Sequence, residues 1–468
     1  MTGRNGIAAV AALMLAGCSL APKTVLPPPP VPTSWPAGDA YLLESEAALP
    51  VLSWRDVFTD PRLQTLIDQA LANNRDLRIA YANVAAARAQ ARIARSAQFP
   101  AIGASGGAGY SDSGSGGGGA DFSLRGGVTA FELDLFGRLA NLAESDRNRA
   151  LATEASARTI RVALIAQLAE AWAAHGADSD LLSIAQDTAT NARENVRLTR
   201  ARLDGGVAPR TDLRQAEQIL ATAEDAIAAQ TSALAQDENL IRLLVGGDVD
   251  RALLPASLAE VTPGVALLPA GVDSDILLRR PDVIEAEYRL RAANADIGAA
   301  RARLFPSISL TGLFGLASDT LSGLFSGGSW GWSAGGAVDL PIFNAGGRRA
   351  GVAVTEAQRD AALAGYEGAI QTAFRDVADA LAVQGVMAER VRAAAANSEA
   401  AADSAMLSDA RYRGGIDSFL SSLDAQRSLY AARRSETATQ LLLVSTRIAL
   451  FRALGGDSNA GADAAPPR

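Results

Sequence analysis

The chain repeats itself, and this duplication constrains the fold more than any other sequence feature. Phe99-Pro100 recurs as Phe305-Pro306, and Leu135-Phe136 recurs as Ile342-Phe343. Asp204-Gly205-Gly206-Val207 recurs as Arg413-Gly414-Gly415-Ile416. Leu244-Val245-Gly246-Gly247-Asp248 recurs as Ala453-Leu454-Gly455-Gly456-Asp457. The offset stays near ~206–209 residues and the order is kept, so one unit of about 200 residues occurs twice. A short solenoid repeat is excluded by that period.

Each half reads the same way. Helical patterns come first, over Pro61 to Gln98 and Pro281 to Leu304, each stopping before a proline, a position that disfavours helix. Two short strand-like segments follow in each half. They lie around Ala101 to Tyr110 and Phe122 to Leu133, then Ser307 to Thr311 and Trp330 to Leu340. They are rich in Gly, Ser and aromatics and alternate loosely, as membrane barrel strands do. Gly114 to Gly119 is nearly all glycine and reads as a loop tip. Long helical regions come next, Leu139 to Leu203 and Ala345 to Arg411, without proline. Each would extend roughly 100 Å at 1.5 Å per residue. Val162, Ile165, Ala169 and Trp172 step by threes and fours, as do Leu363, Tyr366, Ile370, Ala373, Val377 and Ala380. That is coiled-coil spacing. After Gly205-Gly206 and Gly414-Gly415 the chain turns back into helices over Thr211 to Leu244 and Ser418 to Leu454. Glycine suits such a helix stop.

Composition removes most chemistry. The 468 residues are 49% hydrophobic but only 5% aromatic, so alanine supplies much of the apolar count. The net charge of −8 disfavours a nucleic-acid surface. One Cys and one His exclude Cys/His zinc sites and disulfide frameworks. No phosphate loop, metal-ligand cluster or nucleophile–base constellation is written in the chain. The expectation is therefore a non-enzymatic chain with no cofactor. His175 reads as a structural side chain, and Asp237-Glu238 as a solvated helix face.

The N-terminus points to an envelope. Arg4 precedes a short apolar run, Ile7 to Ala16, which fits a signal-peptide core and is too short for a membrane span. It ends in Leu15-Ala16-Gly17-Cys18, like a bacterial lipobox with Cys18 as the acylated first mature residue. Ser19 rather than Asp follows, which in that pattern implies the outer membrane. Residues 1–17 are thus expected as signal peptide. Residues 18–55 are expected as lipidated Cys and Pro-rich tether, 56–250 as first repeat and 251–272 as linker. The second repeat is expected over 273–456, with a flexible tail at 457–468. The hairpins are expected near 101–133 and 307–340.

Four strands cannot close a sheet, and open edges are not tolerated in lipid. If the strands cross a membrane, several copies must pool them with cyclic symmetry.

At this point the chain resembles the TolC-type outer-membrane factors, most closely the OprM/NodT-like efflux lipoproteins. The resemblance is carried by Leu278-Arg279-Arg280-Pro281-Asp282-Val283, Ala286-Glu287, Leu290 and Ala293 through Gly298. Phe305-Pro306-Ser307 and Phe131 through Arg138 extend it. It covers nearly everything after residue ~50. The resemblance implies a mainly α fold with a β-barrel contribution: a homotrimer with a twelve-stranded transmembrane barrel continued by a periplasmic α-helical barrel. It also implies an outer-membrane channel of a tripartite efflux system, partnered by a periplasmic membrane-fusion adaptor, an inner-membrane pump and outer-membrane lipid. The covalent lipid would sit on Cys18. The helix tips implied to dock the adaptor are Gly205, Gly206, Val207, Gly414, Gly415 and Ile416. The implied aperture residues are Asp424, Asp212 and Asp417. Ser421 replaces one of two acidic positions, leaving one acidic ring. Asp417 stands where the family carries an arginine, with Arg210 a substitute beside Asp212. Two other readings stay open: a lipid-anchored periplasmic coiled-coil scaffold, and a type I protein-secretion channel on the same fold.

Overall fold

The computed structural model describes residues 20–23, 25–36, 41, 53–112, 118–268 and 274–456. Cys18, most of the glycine-rich tip and the tail lie outside these residues.

The duplication appears in element lengths. The first repeat holds α1 (Pro61–Asn73), α2 (Arg75–Ser96), β1 (Ile102–Asp112), β2 (Gly118–Leu133), α3 (Arg138–Asp204) and α4 (Arg210–Val245). The second holds α5 (Pro281–Ala302), β3 (Ser307–Ser318), β4 (Trp330–Asp339), α6 (Gly347–Arg413) and α7 (Phe419–Ala453). α2 and α5 are each 22 residues, and α3 and α6 are each 67.

The helical stretch 61–98 is divided where one pattern was expected. Asn74 ends α1 and starts α2, because its Oδ1 accepts from Leu77 N at 2.9 Å. Such a side chain replaces the missing partner of a helix start. Its Nδ2 donates to Leu244 O at 2.9 Å, tying the break to the end of α4.

Two compact units result. One takes in Ala82–Ala155 and Ile284–Gly368 with the described residues up to Pro28. It holds all four strands, which form one antiparallel sheet in the order β1-β2-β3-β4. The two hairpins thus pair through β2 and β3. The other unit takes in Pro29–Tyr81, Ser156–Val283 and Ala369–Arg468. Its core is the seam read from spacing: Val162, Ile165, Ala169 and Trp172 are buried, as are Ile370, Ala373, Val377 and Ala380. Ala185, Ala189 and Ala192 extend the buried line along α3. Their small side chains allow a close helix approach.

The segment expected as a linker is packed. Leu258, Val261, Val265 and Leu268 are buried. Trp172 Nε1 donates to Leu253 O at 2.8 Å, and His175 Nδ1 bonds Pro255 O at 3.1 Å. Arg447 donates to Val265 O at 2.8 Å. His175 is therefore a structural side chain. Parts of the Pro-rich stretch are also docked: Arg301 reaches Leu20 O at 3.4 Å, and Trp35 stacks on Phe374 with ring centroids 4.8 Å apart. Composition shows that such a stretch is extended, but not what it lies against.

Candidate functional site

The sheet sorts its side chains by face, more cleanly than each strand suggests alone. Register places Ile102 opposite Val128, Gly106 opposite Leu124, and Ala108 opposite Phe122. Leu124 then faces Leu316, and Phe314 and Leu316 face Trp332 and Trp330. These pairs make one apolar face. The alternate pairs, Ser105–Arg125, Gly107–Ser123, Gly109–Asp121, Ser307–Asp339 and Thr311–Gly335, make a polar face. A shift between Val128 and Phe131 keeps the pattern, with Phe131 opposite Leu310 and Glu132 opposite Ser309. Strands of 10–16 residues, tilted as barrel strands are, cover the ~25 Å apolar band of an outer membrane. No helix among the described residues is long and apolar enough to cross a membrane. The membrane-compatible surface is the sheet.

The two helix turns share one geometry. Val207 N donates to Arg202 O and Gly206 N to Leu203 O, both at 2.9 Å. Ile416 N donates to Arg411 O at 2.9 Å and Gly415 N to Tyr412 O at 3.0 Å. This is the Schellman helix stop, which needs a left-handed residue. Gly206 and Gly415 supply it with φ of 75° and 72°. Gly205 and Gly414 are also exposed in the turns. The stop leaves Val207 77% and Ile416 68% exposed, so each turn displays one apolar side chain on a hydrogen-bonded backbone.

Behind the turns, Tyr412, Phe419, Leu423 and Ala216 form a small buried cluster. The Arg202 guanidinium lies 4.4 Å from the Tyr412 ring centroid and 3.3–3.5 Å from the carbonyl oxygens of Tyr412 and Arg413. A cation over an aromatic face and at a helix C-terminus is favoured twice. This clamp joins the two turns and escaped sequence reading. The signal was an Arg at the same place in both repeats, Arg202 and Arg411.

The acidic residues are not gathered at one point. Asp417 is half-buried and accepts from Arg411 Nε at 2.5 Å, so the second turn has an ion pair with its own arginine. Asp212 is the third residue of α4, a place favoured by the helix dipole, and accepts from Thr211 Oγ1 at 3.4 Å. Arg210, the expected substitute, is exposed. Asp424 is exposed on α7, next to buried Leu423.

Asp237 departs from its reading as part of a solvated face. It is half-buried, and burial together with the Asp178 carboxyl beside it raises its pKa to about 6. Asp178 is raised as well, chiefly by burial, with His175 opposing. The folded pKa of Asp237 exceeds the unfolded one. The pair's favourable contribution is therefore complete below the ordinary carboxylate range and lost as pH rises through about 6. Asp237→Asn is expected to raise the Tm at pH 7.5 by roughly 2 °C, a value discounted for solvent screening. The same change should flatten the decline between pH 5 and pH 7.5 in thermal melts followed by circular dichroism.

The sequence profile of the outer membrane efflux protein family matches residues 66–247 and 272–456. The chain is 41% identical over 461 residues to the probable efflux pump outer membrane protein TtgC of Pseudomonas putida, covering 96% of this chain and 94% of that one. It is 38% identical to the outer membrane protein OprJ of Pseudomonas aeruginosa, covering 96% and 95%. Its fold matches the open state of the MtrE outer membrane channel of Neisseria gonorrhoeae with a TM-score of 0.84 at 33% identity, covering 94% and 98%. With this fold, a sheet split into apolar and polar faces and matches to both repeats, the chain belongs to the outer membrane efflux protein family and is an outer-membrane channel component of an efflux system.

Proposed function

We propose that three copies pool their sheets into a twelve-stranded barrel, continued by an α-helical barrel in the periplasm. The observation that carries this is the open sheet: β1 and β4 are edges, and one face is apolar. Lipid leaves no water to satisfy an edge, so other copies must complete the sheet. The barrel conducts small molecules passively, drugs or other toxic compounds, handed over by an inner-membrane pump through a periplasmic adaptor. The protein performs no catalysis and takes no cofactor. Cys18 carries the lipid anchor.

The helix turns at Gly205-Gly206-Val207 and Gly414-Gly415-Ile416 are the adaptor's docking points. Their exposed apolar residues sit on turns whose backbone is already fixed by hydrogen bonds, so little backbone entropy is lost on binding. Asp424, with Asp212 and Asp417, sets the acidic character of the aperture; an acidic ring holds cations and repels anions. Val207→Asp combined with Ile416→Asp is expected to weaken adaptor binding tenfold or more, about 1.4 kcal/mol. Surface-binding assays against the adaptor would read this, with the Tm unchanged because both residues are exposed.

A Cys18→Ser variant with its cleavage site kept functional separates anchoring from spanning. A channel stays in the membrane through washes that strip peripheral proteins. A variant released as soluble protein would overturn the channel reading in favour of a lipid-anchored scaffold.

A further inference from the structure

Phe99 and Phe305 occupy the same turn of the two repeats. Gln98 N donates to Arg95 O at 3.1 Å and Phe99 N to Ser96 O at 3.0 Å. Leu304 N donates to Arg301 O at 3.0 Å and Phe305 N to Ala302 O at 3.1 Å. Phe136 and Phe343 are likewise paired by the duplication, each three residues after the Leu that follows or ends the second strand, Leu133 and Leu340.

Their surroundings differ. Phe136 of the first repeat stacks on Phe305 of the second, with centroids 4.6 Å apart and planes 16° apart. The other two rings are bare: Phe343 is 87% exposed and Phe99 is 59% exposed. Ile342 beside Phe343 is also exposed. Within one chain, the first repeat's second strand pairs with the second repeat's first strand, β2 with β3. The same relation carried onward joins β4 to β1 of another copy.

We propose that Phe343 of one copy stacks on Phe99 of the next, repeating between copies the Phe136–Phe305 contact made within each. This rests on the homotrimer reading above and adds to it a specific contact and a register. Leu133 pairs with Ile308 inside the chain, so Leu340 is placed opposite Ile102 of the next copy. Leu340 and Ile102 are both exposed in the single chain. The occupant is a second copy because Phe99 precedes Ile102 by the same three residues by which Phe305 precedes Ile308, so the duplicated turn presents an equivalent ring. Aromatic pairs at such spacing are favourable beyond the area they bury. The connection after Phe343 is two residues longer than that after Phe136, running through Asn344 and Ala345. This extra length falls after the ring and before α6, leaving the spacing from strand to ring unchanged.

The test places p-benzoylphenylalanine at position 343, and separately at 136, in the full-length membrane-embedded protein, with mixed isotopically light and heavy chains. Irradiation of the 343 protein is expected to give a two-chain band whose linked peptide contains Phe99, with half the adducts of mixed mass at equal chain ratio. The 136 protein is expected to link only within one chain, at Phe305. With that control adduct present, a 343 adduct on its own chain, on lipid, elsewhere on the neighbour or absent overturns the contact. Native mass of the same samples separates the two readings. A monomer overturns the homotrimer, whereas a trimer without the Phe99 adduct overturns this contact alone. As a second measure, Phe99→Ala and Phe343→Ala should each lower the temperature at which the trimer dissociates in detergent, and the double variant should lower it no further than the larger single effect. Additive shifts would contradict the pairing.

Discussion

Arg280→Ala is expected to lower stability by roughly 2–4 kcal/mol, read as a fall in the urea midpoint of the full-length protein. The Arg280 side chain is 8% exposed. Its Nη1 donates to Ala453 O at 2.6 Å, at the last residue of α7. Nε and Nη2 hold the Asp282 carboxylate at 3.0 and 2.7 Å, and Nη2 lies 3.5 Å from Asp376. Truncation leaves the Asp282 carboxylate and a helix-end carbonyl without their cation, whereas Asp376 keeps Arg375 at 2.6 Å. The estimate falls below that for a fully buried pair because Asp282 and Asp376 remain about a third exposed. Arg280→Lys keeps the charge but loses the two-pronged grip, so its midpoint should lie between the two. Equal midpoints for wild type and the Ala variant would show that α7 is held by its apolar face alone.

The second large effect belongs to the sheet. Gly315 sits in β3 opposite Arg125, and a Cβ there would lie 2.2 Å from Leu124 O and 2.8 Å from Arg125 Cα. Backbone cannot yield to a side chain at that distance without breaking the ladder. Gly315→Val is therefore expected to separate β2 from β3 and remove heat-stable trimer from the outer membrane, with a loss of tenfold or more in membrane-assembled protein, the equivalent of about 1.4 kcal/mol. Gly312 lies in the same strand, between Val128 of β2 and Ala334 of β4, and has open space where a Cβ would go, so Gly312→Ala should assemble at the wild-type level. Immunoblots of unheated outer-membrane fractions compare the two. Equal assembly would mean that β2 and β3 are not paired in the membrane.

These two sites show what sequence can and cannot carry. The Arg279-Arg280-Pro281-Asp282 stretch marked the family, because a short motif of unusual residues is legible locally. Its work at the end of α7 was not legible, since Ala453 lies 173 residues away. The long helices were legible because three–four spacing needs only one strand of sequence, and the buried residues follow it. The bounds of these helices moved by one or two residues, where caps decide the ends. The sheet was half legible. Glycines blur alternation along each strand, and only cross-strand register restores an apolar face. The Asn74 break was missed because one side chain, bonded to a distant carbonyl, ended a helix that the apolar pattern continued. Asp237 looked solvated because its neighbour Asp178 comes from another helix. The turn glycines were legible as helix stops, while the Arg202 clamp on Tyr412 depends on two turns meeting from different repeats.

A water-filled path through a bilayer is the function proposed for this chain. Current through planar lipid bilayers holding the purified full-length protein tests it most directly. Discrete conductance steps are expected with wild type and none with Gly315→Val at equal protein. Folded, assembled wild-type protein that inserts and passes no current would contradict it.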